Sequence, residues 1–313
     1  MTVNPSRKHL VLLGAGRAHL QVLKSLAQQG SANMSVTLVS PHPYYIESGM
    51  LPAHVAGDYA LEDLRIPLDR LVEASGAAFV PAHVISLDAT GRRVQLSSGD
   101  ALPYDVLSVN VEPVVPREQI EEQMPGARRN ALFTRPLENF VQLWPQLQSL
   151  AQERALQVAV VGDDVPAIEL AMAVAHALAA PHGSRVTLVA GDAPLLAGGA
   201  ATPAWLRDAG LQAGDAGEPV VNERLQSDSH RQIFIVPDGA PIEVGPVLDA
   251  NLRTAIAGGT FKKAPADASR LRVVGCGGGQ AIAIWGPLGL EGREVWHWKD
   301  RRDRRQLAAL FEA

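Results

Sequence analysis

Three places in the chain hold residues whose type and spacing could do chemistry. Gly14-Ala15-Gly16-Arg17-Ala18-His19 reads Gly-x-Gly-x-x-His, between an apolar run (residues 9–13) and a stretch with helical periodicity (18–28). In that setting the first glycine permits a tight turn, and the second lets the backbone approach a pyrophosphate. The helix N-terminus behind them favours the anion. His19 occupies the third position, where a small side chain would normally let helix and strand close up. A second turn, Gly162-Asp163-Asp164-Val165-Pro166-Ala167, keeps one glycine and puts two carboxylates where phosphates would sit. Like charge disfavours the ligand there. The third place is Glu47, in the Pro-, Tyr- and Gly-rich loop 41–52, the one candidate for a catalytic acid or base.

Composition removes other chemistries. Cys276 is the single cysteine, so neither a dithiol–disulfide cycle nor a disulfide framework can be built within the chain. His42, His54, His83, His176, His182 and His230 show no His-x-x-x-His spacing, and no metal site is expected. A net charge of −5 and a pI near 6.0 argue against nucleic acid as a partner. The apolar run at 10–13 is shorter than a signal-peptide core, and no run approaches the ~18 residues that span a bilayer. The sequence therefore reads as cytoplasmic.

The elements that must position these residues follow from periodicity. Strand 9–13, the glycine turn, helix 18–28 and strand 36–39 make a parallel βαβ unit. Helix 61–75, strands 78–85, 93–96 and 104–111, and a Pro- and charge-rich connector at 113–129 follow. Helix 137–154 is expected to break near Pro145. Strand 157–161, helix 167–180 and strand 186–190 repeat the opening layout, and 193–217 reads as loop. Strand 232–236, helix 245–257, strands 271–274 and 280–285, and a basic helix from Arg301 complete the chain. The fold class is α/β: a Rossmann-like dinucleotide-binding domain, a reduced second βαβ domain and a small C-terminal α+β region. At 313 residues, division into domains is expected. The boundaries read as 1–135 with 226–262, 136–225, and 263–313.

Longer strings carry a resemblance. TLVSPHPYYIESGMLPAHVAGDY, with GAGRAH before it and LPYDVLSVN after it, resembles the FAD domain of the pyridine nucleotide-disulfide oxidoreductases. The most similar type is the NADH dehydrogenase-like flavoproteins associated with selenide, water dikinase. FTRPLENFVQLWPQL, VGPVLDANLRTAIAGG and GPLGLEGREVWHWKDRRDRR extend the likeness, in order, over most of the chain. The resemblance implies that Gly14, Gly16, Arg17, Ala18 and His19 hold the FAD pyrophosphate, with Ser40 ending the second strand where an acidic residue usually meets the ribose. It places Gly49, Met50, Leu51 and Pro52 beside the isoalloxazine, where disulfide reductases carry a redox cysteine that is missing here. Asp238 would bond the ribityl chain. The helix opening with Gly245, Pro246 and Val247 would point its N-terminus at the pyrimidine edge of the flavin, where reduced flavin is negative.

Departures from the family pattern shape the functional expectation. Asn110-Val111-Glu112-Pro113 replaces small residues at a strand end, Pro237 replaces a glycine, and the second unit is short. NAD(P)H is not expected to bind in the family manner. The expected function is an FAD-dependent oxidoreductase passing electrons between flavin and a small-molecule or quinone-like acceptor, without a redox disulfide. The alternative is a non-catalytic subunit or regulator that has lost NAD(P)H and FAD binding. The basic tail with Trp296 and Trp298 suggests a protein partner or a peripheral membrane contact.

Overall fold

The computed structural model describes residues 7–31, 33–162, 164–189, 201–215, 217–265 and 271–311. Asp163, position 190 of the expected strand, and positions 193–200 and 216 of the expected loop lie outside them. The opening unit forms as the periodicity requires: β1 (Lys8–Leu13), α1 (Arg17–Gln29) and β2 (Met34–Val39). A short helix α2 (Leu51–Val55) precedes β3 (Ala78–Val80) and β4 (Val106–Val109). The second unit is α3 (Leu137–Glu153), β5 (Gln157–Val161), α4 (Val165–Ala177) and β6 (Arg185–Val189). After it come β7 (Ile233–Ile235), α5 (Val244–Ala257), the strands β8 (Leu271–Gly277), β9 (Gln280–Trp285) and β10 (Leu288–Gly292), and α6 (Arg293–Phe311).

The main sheet is parallel, in the order β7-β4-β1-β2-β3. Both faces of β1 are buried, which suits a parallel sheet with layers on each side. Leu10 and Leu12 join one core with Leu20 and Leu23 of α1, Leu248 and Leu252 of α5, and Phe140 and Trp144 of α3. Val11 and Leu13 join another with Val94 and Leu96 of an antiparallel three-stranded sheet, and with Leu206. The second unit differs in kind. Its sheet has two strands, with α4 packed on it, and Val161, Leu188 and Val189 stay 37–38% exposed.

Several elements depart from the periodicity. Helix 61–75 is divided into Leu61–Leu64 and Asp69–Ser75 by the strand Arg65–Pro67, which pairs with Tyr44–Ile46. Strand 78–85 is two strands in different sheets, because residues 81–83 turn away after β3. Pro145 does not break α3: the ring removes one donor, and Ser149 Oγ donates to the Pro145 carbonyl at 3.0 Å. The connector 113–129 carries the helix Arg117–Gln123, and α6 begins eight residues before Arg301.

The C-terminal helix is tied inward through a buried cation. Lys299 is 3% exposed; its Nζ lies 2.7 Å from Asp303 Oδ2, 3.5 Å from Glu169 Oε1 of α4 and 3.5 Å from the Gly49 carbonyl. Glu169 Oε1 also accepts from the Gly275 backbone at 2.7 Å. Lys299→Met would leave the buried Glu169 carboxylate without its cation, while Asp303 would keep Arg302. A loss of about 3–5 kcal/mol is expected in urea unfolding. A loss below about 1 kcal/mol would show that water replaces the ammonium.

Candidate functional site

A cleft of about 1190 Å³ runs along the carboxyl ends of β1, β2, β4 and β7. Its centre is the switch point of the sheet, where the chain leaves β1 toward β2 on one side while β4 lies on the other. Open α/β sheets bind ligands at such a point. The chain bends there at Gly14, whose φ of 86° suits glycine. The turn is pressed against the end of β4: Gly16 N–H donates to the Asn110 carbonyl at 3.3 Å, and Asn110 Oδ1 accepts from the Ala18 N–H at 3.1 Å. A Cβ at Gly14 or Gly16 would overlap Asn110.

His19 lies beneath this turn rather than in the cleft. It is fully buried, with Nδ1 2.7 Å from the Gly14 carbonyl and Nε2 2.8 Å from Ser108 Oγ. A carbonyl only accepts, so Nδ1 carries the proton and the Ser108 hydroxyl donates to Nε2. Burial lowers its pKa to about 4, against the opposing pull of the Gly14 bond, so the ring is neutral. The large third-position residue thus fills the helix–strand contact that a small one would leave close.

Arg17, from the first turn of α1, reaches Glu47 at 2.6 Å. Glu47 is 4% exposed; Oε2 accepts from the Tyr45 hydroxyl at 3.0 Å, and Oε1 accepts from the Gly49 N–H at 3.1 Å. Burial would lower the Arg17 value, yet the Glu47 carboxylate raises it overall. The Tyr45 hydroxyl is pushed up by burial and by Glu47. Both Glu47 oxygens are engaged, so the arrangement orients the loop.

Of the expected binding residues, Gly14, Gly16, Arg17, Ala18, Ser40, Gly49, Asp238 and Gly245 line the cleft together with Glu47. His19, Met50, Leu51, Pro52, Pro246 and Val247 are not among its lining. Met50 is wholly buried, and Leu51 and Pro52 belong to α2, which packs on α4 and β8. Gly245 lies against the Gln21 amide, whose buried Oε1 has no partner among the described residues. Arg135 and Asn110 also line the cleft, and residue type and spacing did not reveal them. The nearest signal was the unusual Asn-Val-Glu-Pro string.

The second turn is closed by its own side chain: Asp164 Oδ1 caps α4 through the Ala167 N–H at 2.8 Å. A carboxylate therefore holds the position a phosphate would need. Cys276 is half-buried on β8, outside the cleft, and its thiol is pushed up by burial and by Glu169 and Glu291.

The fit to a flavin dinucleotide is positive at the turn and mixed at the far end. The glycines, the α1 N-terminus and Arg17 suit a pyrophosphate, and the cleft has the length of strand ends such a molecule would cross. Glu112, Asp238 and Glu138 add negative charge nearby.

No protein-family model matches the chain. A type II NADH:quinone oxidoreductase of Staphylococcus saprophyticus is 34% identical over 106 residues, 34% of this chain and 26% of that protein. The Staphylococcus aureus enzyme of the same name is 30% identical over 104 residues, 33% of this chain and 26% of its own length. The chain thus spans about a quarter of the length of the curated relatives it matches. Sulfide:quinone oxidoreductase from Aquifex aeolicus superposes with a TM-score of 0.72 at 18% identity, covering 97% of this chain and 91% of that one. NDH2 from Plasmodium falciparum, in complex with NADH, gives 0.71 at 11% identity over 97% of each chain.

The neutral His19 sets an acid limit on stability. Its contribution is whole above the ordinary imidazole value and is lost as pH falls from about 6.5 toward about 4, because only the unfolded chain then binds the proton. The slope from this one group approaches about 1.4 kcal/mol per pH unit. Urea midpoints across that window for wild type and His19→Gln check it: the variant should lose that part of the slope. Equal slopes would put the acid sensitivity elsewhere.

Proposed function

The chain has the fold of the FAD-dependent pyridine nucleotide-disulfide oxidoreductases, and we propose that it is an FAD-dependent oxidoreductase. In this reading flavin passes electrons to or from a small-molecule or quinone-like acceptor without a redox disulfide. The observation that carries it is the cleft itself, in which the glycine turn of β1, the loop at Glu47–Gly49 and the start of α5 converge at the switch point. Bound flavin would supply the electron transfer.

The chain's own residues would do the rest. Gly14, Gly16 and the first turn of α1 would hold the pyrophosphate, with Arg17 beside it. Ser40 would face the ribose, and Asp238 the ribityl chain. Ser48 and Gly49 would wall the ring, with the Lys299 ammonium behind the Gly49 carbonyl adding positive charge. The α5 N-terminus, at Gly245, would favour negative charge on the ring by ~0.3–1 kcal/mol. Because Asp164 caps α4, reduced nicotinamide would not dock at that turn. It would have to reach the flavin from the open cleft, and an acceptor would use the same mouth.

The names of the relatives contain quinone, an apolar molecule that partitions into membranes, and the surface offers a matching patch. No helix among the described residues is long and apolar enough to cross a membrane. However, Trp285, Leu288 and Leu290 of the β9–β10 hairpin are 61–66% exposed. Beside them α6 exposes Trp298, Arg293, Arg301 and Arg305. Trp296 is turned inward against Tyr59 instead. Glu291 and Glu294 are exposed there as well, so the apolar tips and Trp298 rather than net charge would make the contact with a lipid surface.

The visible spectrum of the purified chain, before and after incubation with FAD and removal of the excess, tests the assignment. A bound-flavin spectrum that Gly16→Val abolishes is expected. A colourless wild-type chain that takes up no FAD would leave the non-catalytic reading. For the surface, Trp285→Ser/Leu288→Ser should at least halve sedimentation with phosphatidylglycerol vesicles. Equal sedimentation of the two proteins would remove the membrane contact.

A further inference from the structure

Two neighbouring strands end in the cleft, and each carries a carboxylate just past its end. Glu112 follows β4 and Asp238 follows β7, strands whose register pairs Ile235 with Val109. Arg135, on the segment entering α3, reaches both. Its Nη2 donates to Asp238 Oδ2 at 3.0 Å, and its Nη1 lies 3.6 Å from Glu112 Oε2. The Glu112 contact is the looser one. The Leu137 N–H also donates to Glu112, and Glu138 stands near as a third carboxylate. The Arg135 guanidinium therefore reaches two acids, with a third beside Glu112, and Arg117 Nη2 lies 3.5 Å from the Arg135 carbonyl.

This excess of negative charge lies next to the glycine turn. Glu112 is two residues past Asn110, which is pressed on Gly14 and Gly16, and the intervening Val111 also abuts Gly14. A pyrophosphate at the turn would bring further negative charge beside an ionised Glu112. The Glu112 carboxyl is shifted upward. Burial raises its carboxyl, Arg135 pulls it down, Glu138 and Asp238 raise it again and the Leu137 N–H opposes them, leaving it at about 7.

We propose that a dinucleotide enters this cleft by exchanging partners on Arg135: its pyrophosphate takes the guanidinium from Glu112, and Glu112 accepts one proton from solvent as it is displaced. Asp238, with the shorter contact, keeps the guanidinium in the cleft during the exchange. No bond is made or broken besides that O–H. The inference rests on the flavin-dinucleotide reading above and adds to it a binding residue, Arg135, and a proton as co-ligand. Arg117, His42 and His83 also line the cleft. The two histidines are the rival acceptors for the proton.

Calorimetric titration of FAD into the whole chain, at about pH 8 in two buffers of different ionisation enthalpy, counts the protons. About one proton taken up per FAD is expected, with affinity falling about tenfold per pH unit above neutrality. E112Q should bind without proton uptake and without that pH dependence. R135Q should bind FAD at least tenfold more weakly at pH 6, and R135K should recover part of the loss. FAD bound by wild type with no proton taken up would overturn the proposal, as would uptake persisting in E112Q, which would assign the proton to His42 or His83. Absence of FAD binding at every pH would instead overturn the oxidoreductase reading, and this inference with it. Melting curves of each variant separate lost binding from lost folding.

Discussion

The contact on which the architecture turns is the one between the Gly14–Gly16 bend and the end of β4. Asn110 uses its carbonyl for Gly16 and its side-chain oxygen for Ala18, so one residue fixes both the exit of β1 and the entry of α1. Once α1 is pinned there, its inner face meets α5 and its first turn sends Arg17 toward Glu47. His19 completes the pin from below by joining the Gly14 carbonyl to Ser108 of β4. Any side chain on either glycine would push these two strand ends apart. The position of the cleft, its arginine and its oriented loop all inherit from that one close approach.

Charge organises the rest of the molecule more than size does. Two networks border the cleft, Arg17 with Glu47 and Tyr45 and Arg135 with Glu112 and Asp238, and a third, Lys299 with Glu169 and Asp303, lies behind the Gly49 carbonyl. Glu47 and Lys299 are buried, and ion pairs made to buried charges add little net stability over apolar packing but penalise misplacement of either partner heavily. Their effect here is registration. The loop at 47–50 is held from one side by Arg17 and from the other by Lys299, so its geometry depends on the first and the last helices together.

Much of this was legible in the sequence where a local pattern decides the outcome. The βαβ unit at 8–39 follows from an apolar run, two glycines and an amphipathic helix. Its packing partners, Asn110 and Ser108, are some ninety residues away and carry no local signal. The third glycine position illustrates the limit: His19 breaks the spacing rule, yet two hydrogen bonds give it a place. Pro145 shows the same limit from the other direction, since a proline is tolerated in α3. Residues 61–75 read as one helix because their periodicity is continuous, and only the strand pairing of Ile66 with Tyr45 shows why they are not. Met50, Leu51 and Pro52 carry the family's string without lining the cleft, because α2 is buried against α4 and β8. Arg135 was invisible as a site residue, since its partners come from two separate strand ends.

The two-stranded sheet of the second unit has a consequence for how the molecule breathes. The amides of β1 lie in the middle of a five-stranded sheet covered on both faces, and such coverage predicts opening only with the whole fold. Those of β5 and β6 belong to a ladder of two strands whose apolar side chains stay partly in water, held mainly through α4. Free energies of opening track such coverage. A gradient of rigidity is therefore expected, firm around the cleft and softer in the two-stranded sheet, whose inner side chains Val158 and Val186 pack on the main core. Hydrogen exchange would trace that boundary along α4, where Glu169 joins the soft side to the firm one through Lys299.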